Sequence, residues 1–135
     1  MSLAKSLRLA LEDIDNKYNY IKNLNKDIKE YLSSYDKVCI NSNDNSIPHI
    51  LNISILGVKP ESMLHALEED LVYVSTKSAC SKSNNYSEAV YFVTNNEERA
   101  KSSIRISLSH LTTKEEIEIF KSVFDKCYKR FICLR

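Results

Sequence analysis

The 135-residue sequence contains a single glycine, Gly57, together with two prolines and no tryptophan. A loop that wraps a phosphate group, such as G-x-G-x-x-G or the P-loop, needs several glycines so that its backbone can approach the phosphate closely. One glycine excludes both loops. Any phosphate-bearing cofactor used by this chain must therefore be held mainly by another stretch of protein.

The sequence also lacks an excess of either charge, since 19 basic and 18 acidic residues give a net charge of +1. This balance offers no electrostatic attraction for nucleic acid or for an anionic membrane. No apolar run approaches the roughly 20 residues that cross a bilayer, and the residues after Met1 do not form the apolar region of a secretory signal. We therefore expect a single cytoplasmic domain over residues 1–135, without nucleic-acid or membrane partners.

The four cysteines include no C-x-x-C pair, and none lies close in sequence to one of the three histidines. A structural zinc site needs clustered ligands, so the sequence predicts no metal site. Without an export signal we expect free thiols rather than disulfides. Cys39 lies within a predicted strand and Cys127 on the apolar face of a predicted helix, so we predict both to be core residues. Cys133 lies near the chain end and is predicted to be structural or frayed.

Cys80 differs because it lies in residues 75–87, a polar segment rich in serine and asparagine. Such a segment is typical of an exposed loop, where burial offers little to a thiol. Lys77 and Lys82 flank Cys80, and nearby positive charge favours the thiolate, which is the nucleophilic form. We therefore predict that Cys80 is a reactive thiol on a loop.

Residues 4–33 carry apolar side chains at steps of three and four, which predicts one long helix. The apolar stripe of this helix could pack on a sheet or pair with a partner helix in a coiled coil. Asn25 interrupts the strict heptad, which favours packing on a sheet.

The rest of the chain alternates short strand patterns with helix patterns. The predicted elements are strands at 38–40 and 50–55, a helix from Pro60, a strand at 71–74, a short helix at 88–93, a strand at 103–108 and a final helix after the capping box of Thr113 and Glu116. This order predicts an α+β fold in which helices cover a small, mostly antiparallel sheet of three or four strands.

The segment around Cys80, residues 74–81 (VSTKSACS), resembles the active-site loop of cysteine desulfurases of the NifS/IscS type. That family is a branch of the class V aminotransferases, fold-type I enzymes that use pyridoxal phosphate (PLP). Further segments resemble the family in the same order: residues 48–54, 61–64, 103–108 and 112–117. The resemblance implies the C-terminal small domain of these enzymes, at about residues 35–131.

The resemblance also implies roles for individual residues. Cys80 matches the nucleophile that attacks the sulfur of substrate cysteine on PLP, which leaves an enzyme persulfide and releases alanine. Arg105 matches the arginine that grips the substrate α-carboxylate, a role that suits the planar donor fork of guanidinium. Without the resemblance, Arg105 would be interpreted as an outward strand residue in a surface salt bridge. The persulfide sulfur would pass to an acceptor protein or thiol, as in iron–sulfur cluster assembly.

Two stretches depart from the family pattern. Lys77 stands where the family usually has glycine, and Lys59 with Pro60 stands where a glycine is common. A lysine in the loop would stiffen it and change its charge. These differences bear on the choice of sulfur acceptor and on the catalytic rate, and they leave the nucleophile and the arginine in place.

The family's PLP-binding lysine follows a histidine in the large domain, and this sequence has no His-Lys pair. The resemblance therefore implies that the PLP-binding large domain is absent, that no residue of this chain binds the cofactor, and that the chain is inactive alone. We expect a truncated form or a split gene product whose partner is the large domain. Four alternatives stay open: a PLP-independent sulfur-carrier or thiol-redox module, a class V aminotransferase-like domain, a selenocysteine lyase, and an interaction domain built on the first helix.

Overall fold

The computed structural model describes residues 2–76 and 85–133. These described residues form six helices and three strands. In chain order the elements are α1 (Leu3–Leu11), α2 (Ile14–Leu32), β1 (Val38–Ile40), β2 (Ile50–Ile55), α3 (Pro60–Glu69), α4 (Glu88–Thr94), α5 (Glu97–Lys101), β3 (Ser103–Ser107) and α6 (Lys114–Ile132). The predicted α+β class is confirmed.

The strands form one antiparallel sheet in the order β1-β2-β3. Successive side chains of a strand point to opposite faces. In β2, Leu51, Ile53 and Ile55 are buried in the hydrophobic core, whereas Asn52 and Ser54 lie on the opposite face. β3 repeats this alternation, and its two isoleucines are also buried. The sheet therefore has one apolar face and one polar face.

Helices α2, α3 and α6 cover the apolar face of the sheet. The predicted capping box begins α6, because the Thr113 hydroxyl accepts from Glu116 N at 3.2 Å and the Glu116 carboxylate accepts from Thr113 N at 2.7 Å. These two bonds pair N–H groups that a helix start otherwise leaves open. The four core residues predicted on this helix are all buried: Ile117, Phe120, Phe124 and Cys127.

The prediction of a single helix over residues 4–33 is wrong, because α1 and α2 are separate helices. Asp13 adopts φ 58° and ψ 31°, the left-handed region, which interrupts a right-handed helix. Lys17 Nζ donates to the carbonyls of Glu12 at 2.6 Å and Leu9 at 3.3 Å, so the carbonyls at the end of α1 find a donor. The apolar spacing continues across the break and gives no sign of it.

Only the second half of the apolar stripe packs in the core. Its buried members lie on α2: Ile21, Leu24, Ile28 and Leu32. The first half is 44% to 57% exposed and is hereafter the N-terminal stripe: Leu7, Leu11, Ile14 and Tyr18. Asn25 is buried among the second half because its Nδ2 donates to the Pro48 carbonyl at 3.0 Å, which fastens the loop before β2. Despite the exposed stripe, no helix among the described residues is both long enough and apolar enough to cross a membrane.

Residues 71–74 were predicted as a strand, and this prediction is also wrong. Leu71 adopts φ 61°, so the chain leaves α3 through a left-handed residue rather than entering an extended ladder. The chain meets β3 only at Ser75, which forms an isolated bridge with Arg105. The apolar pattern that suggested a strand reflects two side chains, Val72 and Val74, that pack against the core without strand pairing.

Candidate functional site

A cavity of about 460 Å³ lies on the polar face of the sheet, beside α4. It is lined by the loop after β1, by residues of β2, β3 and α4, and by Thr76. The described lining residues are Asn41, Ser42, Asn43, Ser46, Asn52, Thr76, Ser87, Glu88, Ala89, Val90, Val93 and Arg105. Within the described part of the chain, Arg105 is the only cation in this lining.

Strand β3 places Arg105 on the polar face, because Ile104 and Ile106 on either side point into the core. Its backbone is held by Ser75, because Arg105 N donates to Ser75 O at 2.6 Å and Arg105 O accepts from Ser75 N at 3.0 Å. On the other side Arg105 is the register partner of Asn52 in β2. The guanidinium therefore extends from a fixed point of the sheet.

One buried atom of the Arg105 guanidinium lacks a hydrogen-bond partner among the described residues. Its Nε is buried and has no hydrogen-bond acceptor among the described residues. No ion pair within residues 2–76 and 85–133 includes Arg105, so the surface salt bridge considered from the sequence is not seen there. A buried cationic donor without an acceptor is costly. This arrangement suits an anionic ligand in the cavity.

Two asparagines stand in line with Arg105 across the sheet. Asn41 follows β1 directly, and its backbone N donates to Asn52 O at 2.9 Å, which continues the β1–β2 ladder by one residue. Asn52 in turn is opposite Arg105 in β3. All three line the cavity. Sequence reasoning missed both asparagines, because this juxtaposition depends on strand register rather than on local sequence.

Helix α5, also missed from the sequence, adds a second arginine behind the cavity. Arg99 Nε donates to Asn41 Oδ1 at 2.9 Å, and Arg99 Nη2 donates to the Ile40 carbonyl at 2.7 Å. Asn41 Nδ2 donates to Asn52 Oδ1 at 2.8 Å and to Ser54 Oγ at 2.7 Å. Ser54 Oγ donates to the Arg99 carbonyl at 2.7 Å, which closes the network.

Cys80 lies outside the described residues, as do Lys77 and Lys82, so the predicted nucleophile and its flanking charges have no described contacts. Two described residues close to this segment lie at the cavity. Thr76 precedes it and Ser87 comes soon after it, and both line the cavity that contains Arg105. Asn85, the first described residue after the segment, lines two neighbouring pockets instead.

The other cysteines are free thiols. Cys127 is 3% exposed, and burial raises the pKa of its thiol, as expected of the predicted core residue. Cys39 is only half-buried, so the prediction that it belongs to the core is wrong. Strand alternation places Cys39 opposite Ser54 on the polar face, while its two neighbours pack against the core. Cys133 is exposed just after the end of α6.

Comparison with known proteins gives consistent matches. Residues 1–120 match the family model described as aminotransferase class-V. The cysteine desulfurase IscS of Buchnera aphidicola subsp. Baizongia pistaciae is 39% identical over 115 residues, covering 82% of this chain and 28% of that protein. The NifS/IcsS protein homolog of Lactobacillus delbrueckii subsp. bulgaricus is 31% identical over 133 residues, covering 96% of this chain and 34% of that protein.

A solved structure matches the fold as well. The NifS-like protein from Rickettsia africae superposes with a TM-score of 0.75 at 32% sequence identity, covering 90% of this chain and 31% of that one. The present chain thus spans about a third of the length of the relatives that it matches.

Proposed function

This chain belongs to the aminotransferase class-V family, with cysteine desulfurases among its relatives, and we propose that it is the C-terminal domain of such a desulfurase. In this proposal Cys80 takes sulfur from L-cysteine as a persulfide while Arg105 binds the substrate α-carboxylate. One observation carries the proposal. Thr76 before the Cys80 segment and Ser87 after it line the cavity in which the Arg105 guanidinium, with its buried Nε unpaired, has no anionic partner among the described residues.

The proposed reaction balances without an external oxidant. The Cys80 thiolate attacks the sulfur of L-cysteine, an S–S bond forms, and the C–S bond of the substrate breaks. The carbon takes up a proton and leaves as alanine, so carbon is reduced as sulfur is oxidised to the persulfide level. Arg105 contributes by holding the carboxylate, which fixes the substrate sulfur in position for attack.

The described lining of the cavity does not fit PLP. A PLP enzyme needs a lysine for the Schiff base, and no lysine is present in that lining. The single glycine of the sequence is also too few for a loop that wraps the phosphate. We propose that a large domain outside this chain holds the cofactor, and that this chain contributes the thiol and the carboxylate site.

The Cys80 thiol requires a reducing surrounding, and the product persulfide requires an acceptor for its outer sulfur. A nucleophilic thiol stays reduced in the cytoplasm, where glutathione and thioredoxin act, so we place the reaction there. The outer sulfur of the persulfide then passes to an acceptor protein or to a thiol by exchange.

The N-terminal stripe is the surface that we propose contacts the large domain. Its four side chains are exposed, and Tyr18 continues it into a groove that also contains Ile14, His49 and His110. A contiguous exposed apolar surface of this kind marks an interaction site. The matched relatives are about three times as long as this chain, so they contain a further region that such a surface could contact.

Charging the N-terminal stripe tests this contact. In a hybrid enzyme whose remaining two-thirds comes from the Buchnera relative, Leu7→Asp with Leu11→Asp should lower PLP retention and L-cysteine turnover by about tenfold or more. The same pair of changes in this chain alone should leave its thermal unfolding nearly unchanged, since both side chains are exposed. Leu111→Asp, at a residue that is 75% exposed and outside the stripe, is the matched control. Equal losses from stripe and control would contradict the contact.

Selective persulfidation of Cys80 tests the proposed nucleophile. The chain is incubated with glutathione persulfide, and the modified cysteines are mapped by mass spectrometry. We expect Cys80, which Lys77 and Lys82 flank in the sequence, to react about tenfold faster than the exposed Cys133 and faster still than the buried Cys127. Cys80→Ser should remove the fast phase. Equal modification of Cys80 and Cys133, or none at Cys80, would contradict the proposal.

A further inference from the structure

The side chains of Arg99, Asn41, Asn52 and Ser54 form a hydrogen-bond network behind the cavity. The Arg99 end of this network determines which atoms of the others donate and which accept. A guanidinium has donors and no acceptor, so Asn41 must present its Oδ1 to Arg99 Nε. The Asn41 Nδ2 group then faces two acceptors, Asn52 Oδ1 and Ser54 Oγ. Turning the Asn41 amide over would place its NH2 group against the Arg99 donor. Arg99 therefore fixes the orientation of the Asn41 amide.

The orientation of the Asn52 amide follows from that of Asn41. Because Asn52 Oδ1 accepts from Asn41, the atom left for the cavity is Nδ2, which carries two donors. In the described part of the chain, the other hydrogen bonds of Asn52 use its backbone: its N donates to Ser42 Oγ at 2.9 Å, and its carbonyl accepts from Asn41 N. The Asn52 side chain thus faces the cavity as a donor, beside the donors of Arg105.

We propose that Asn52 Nδ2 donates to the same carboxylate that Arg105 binds, and that Arg99, acting through Asn41, is a positioning residue that keeps this NH2 group turned toward the ligand. The proposal rests on the proposed function, from which it takes the carboxylate ligand. Directly opposed residues of an antiparallel pair have Cβ atoms about 4.5–5.5 Å apart. Asn52 and Arg105 are such a pair, and a carboxylate has two oxygens that can accept from both.

A purely structural role does not require this orientation of Asn52. The Ser54 to Arg99 bond and the bond from Arg99 to the Ile40 carbonyl already tie α5 to the sheet. The orientation of the Asn52 amide instead affects which ligand the site binds. Arg105 and Asn52 together present only donors to the group between them, which accepts a carboxylate but disfavours the corresponding amide, whose own NH2 group would face those donors.

The test is a titration of this chain with L-alanine, the expected amino-acid product, against L-alaninamide, which lacks the carboxylate. Binding is followed by NMR through the Arg105 Nε–H and Asn52 side-chain NH2 signals. In the unmodified chain both signals should shift with L-alanine and not with L-alaninamide. Asn52→Asp keeps the acceptor that Asn41 needs but removes both donors and adds a negative charge, so the affinity for L-alanine should fall by more than about tenfold. Asn52→Leu should lower it by about tenfold.

Arg99→Gln tests the positioning role. Alone, it should weaken L-alanine binding about threefold, because the Asn52 amide can then turn over. Combined with Asn52→Leu it should add nothing, since its effect passes through the side chain already removed. An additive loss would overturn the positioning role. Arg130→Gln, whose side chain pairs with Glu69 away from the cavity, is the control.

The outcomes separate this inference from the proposed function. If both Asn52 variants remain folded by their NMR spectra and bind L-alanine like the unmodified chain, while Arg105→Ala does not bind, the role of Asn52 is overturned and the carboxylate site stands. If the unmodified chain shows no carboxylate-dependent shift, or if Arg105→Ala binds normally, the carboxylate site and the role of Asn52 both fail.

Discussion

Replacing Phe124 with alanine is expected to lower the free energy of unfolding by about 3–5 kcal/mol. The Phe124 side chain is fully buried in α6. Its ring centroid lies 5.4 Å from that of Tyr35, 5.7 Å from Phe120 and 6.2 Å from Tyr128. These rings cannot close the space freely, because the Tyr35 hydroxyl is held by a 2.9 Å hydrogen bond to Asp125. The substitution therefore leaves a cavity in addition to the lost contacts.

Urea unfolding followed by circular dichroism measures this effect. The expected loss is a large fraction of the total stability of an ordinary domain, about 5–15 kcal/mol, and the slope of the transition should stay unchanged. Phe92→Ala is the matched control, because Phe92 is 82% exposed on α4 and should change stability by no more than about 0.5 kcal/mol. A loss below about 1 kcal/mol at Phe124 would contradict the placement of the core around this ring.

The elements that sequence reasoning identified correctly are those whose pattern reports burial. The period-2 alternation of Ile50–Ile55 and the three-and-four spacing of α6 both record which side chains face the core. The capping box of Thr113 and Glu116 is local chemistry that sequence spacing alone specifies. The antiparallel sheet with helices on its apolar face follows from these elements.

The wrong predictions concern segments whose secondary structure depends on backbone conformation or strand pairing rather than on the apolar pattern. Asp13 breaks the first helix through a left-handed conformation that leaves the apolar spacing intact. Residues 71–74 have apolar side chains but no paired strand beside them, so the strand pattern was misleading. The short helix α5 did carry a signal: Asn96 is followed by two glutamates, and its side chain accepts from Arg99 N as an N-cap.

The residues of the candidate site also fall into two groups, those identified from local sequence and those that only the fold brings together. Cys80 and Arg105 were identified by resemblance to family motifs, and the roles of both remain proposals. The contact of Arg99 with Asn41 joins residues that are 58 positions apart, and no local pattern predicts it. The same holds for the pairing of Asn52 with Arg105, which depends on register across the sheet.

Replacing Arg105 with alanine is expected to lower kcat/KM for L-cysteine about 100-fold in the hybrid enzyme described above, mainly through a higher KM. A carboxylate held in both the ground state and the transition state contributes uniform binding, which appears in KM. Arg105→Lys keeps the charge but loses the planar donor fork, so a loss of about tenfold is expected. Arg130→Ala, at an exposed residue that pairs with Glu69, should have no effect. Alanine release from L-cysteine in the presence of a reductant measures each value.

The stability of this chain distinguishes a binding arginine from a structural one. Arg105 Nε has no acceptor among the described residues, so Arg105→Ala removes an unpaired buried donor and breaks no Nε hydrogen bond to those residues. The free energy of unfolding should then stay within about 0.5 kcal/mol or rise, as expected where a site retains groups for its ligand at the expense of stability. Arg99→Ala is the opposite case, because Arg99 donates to two protein acceptors and its loss should cost about 1–3 kcal/mol. If Arg105→Ala destabilises the chain as much as Arg99→Ala while turnover of L-cysteine is unchanged, Arg105 is a structural residue and the carboxylate site is wrong.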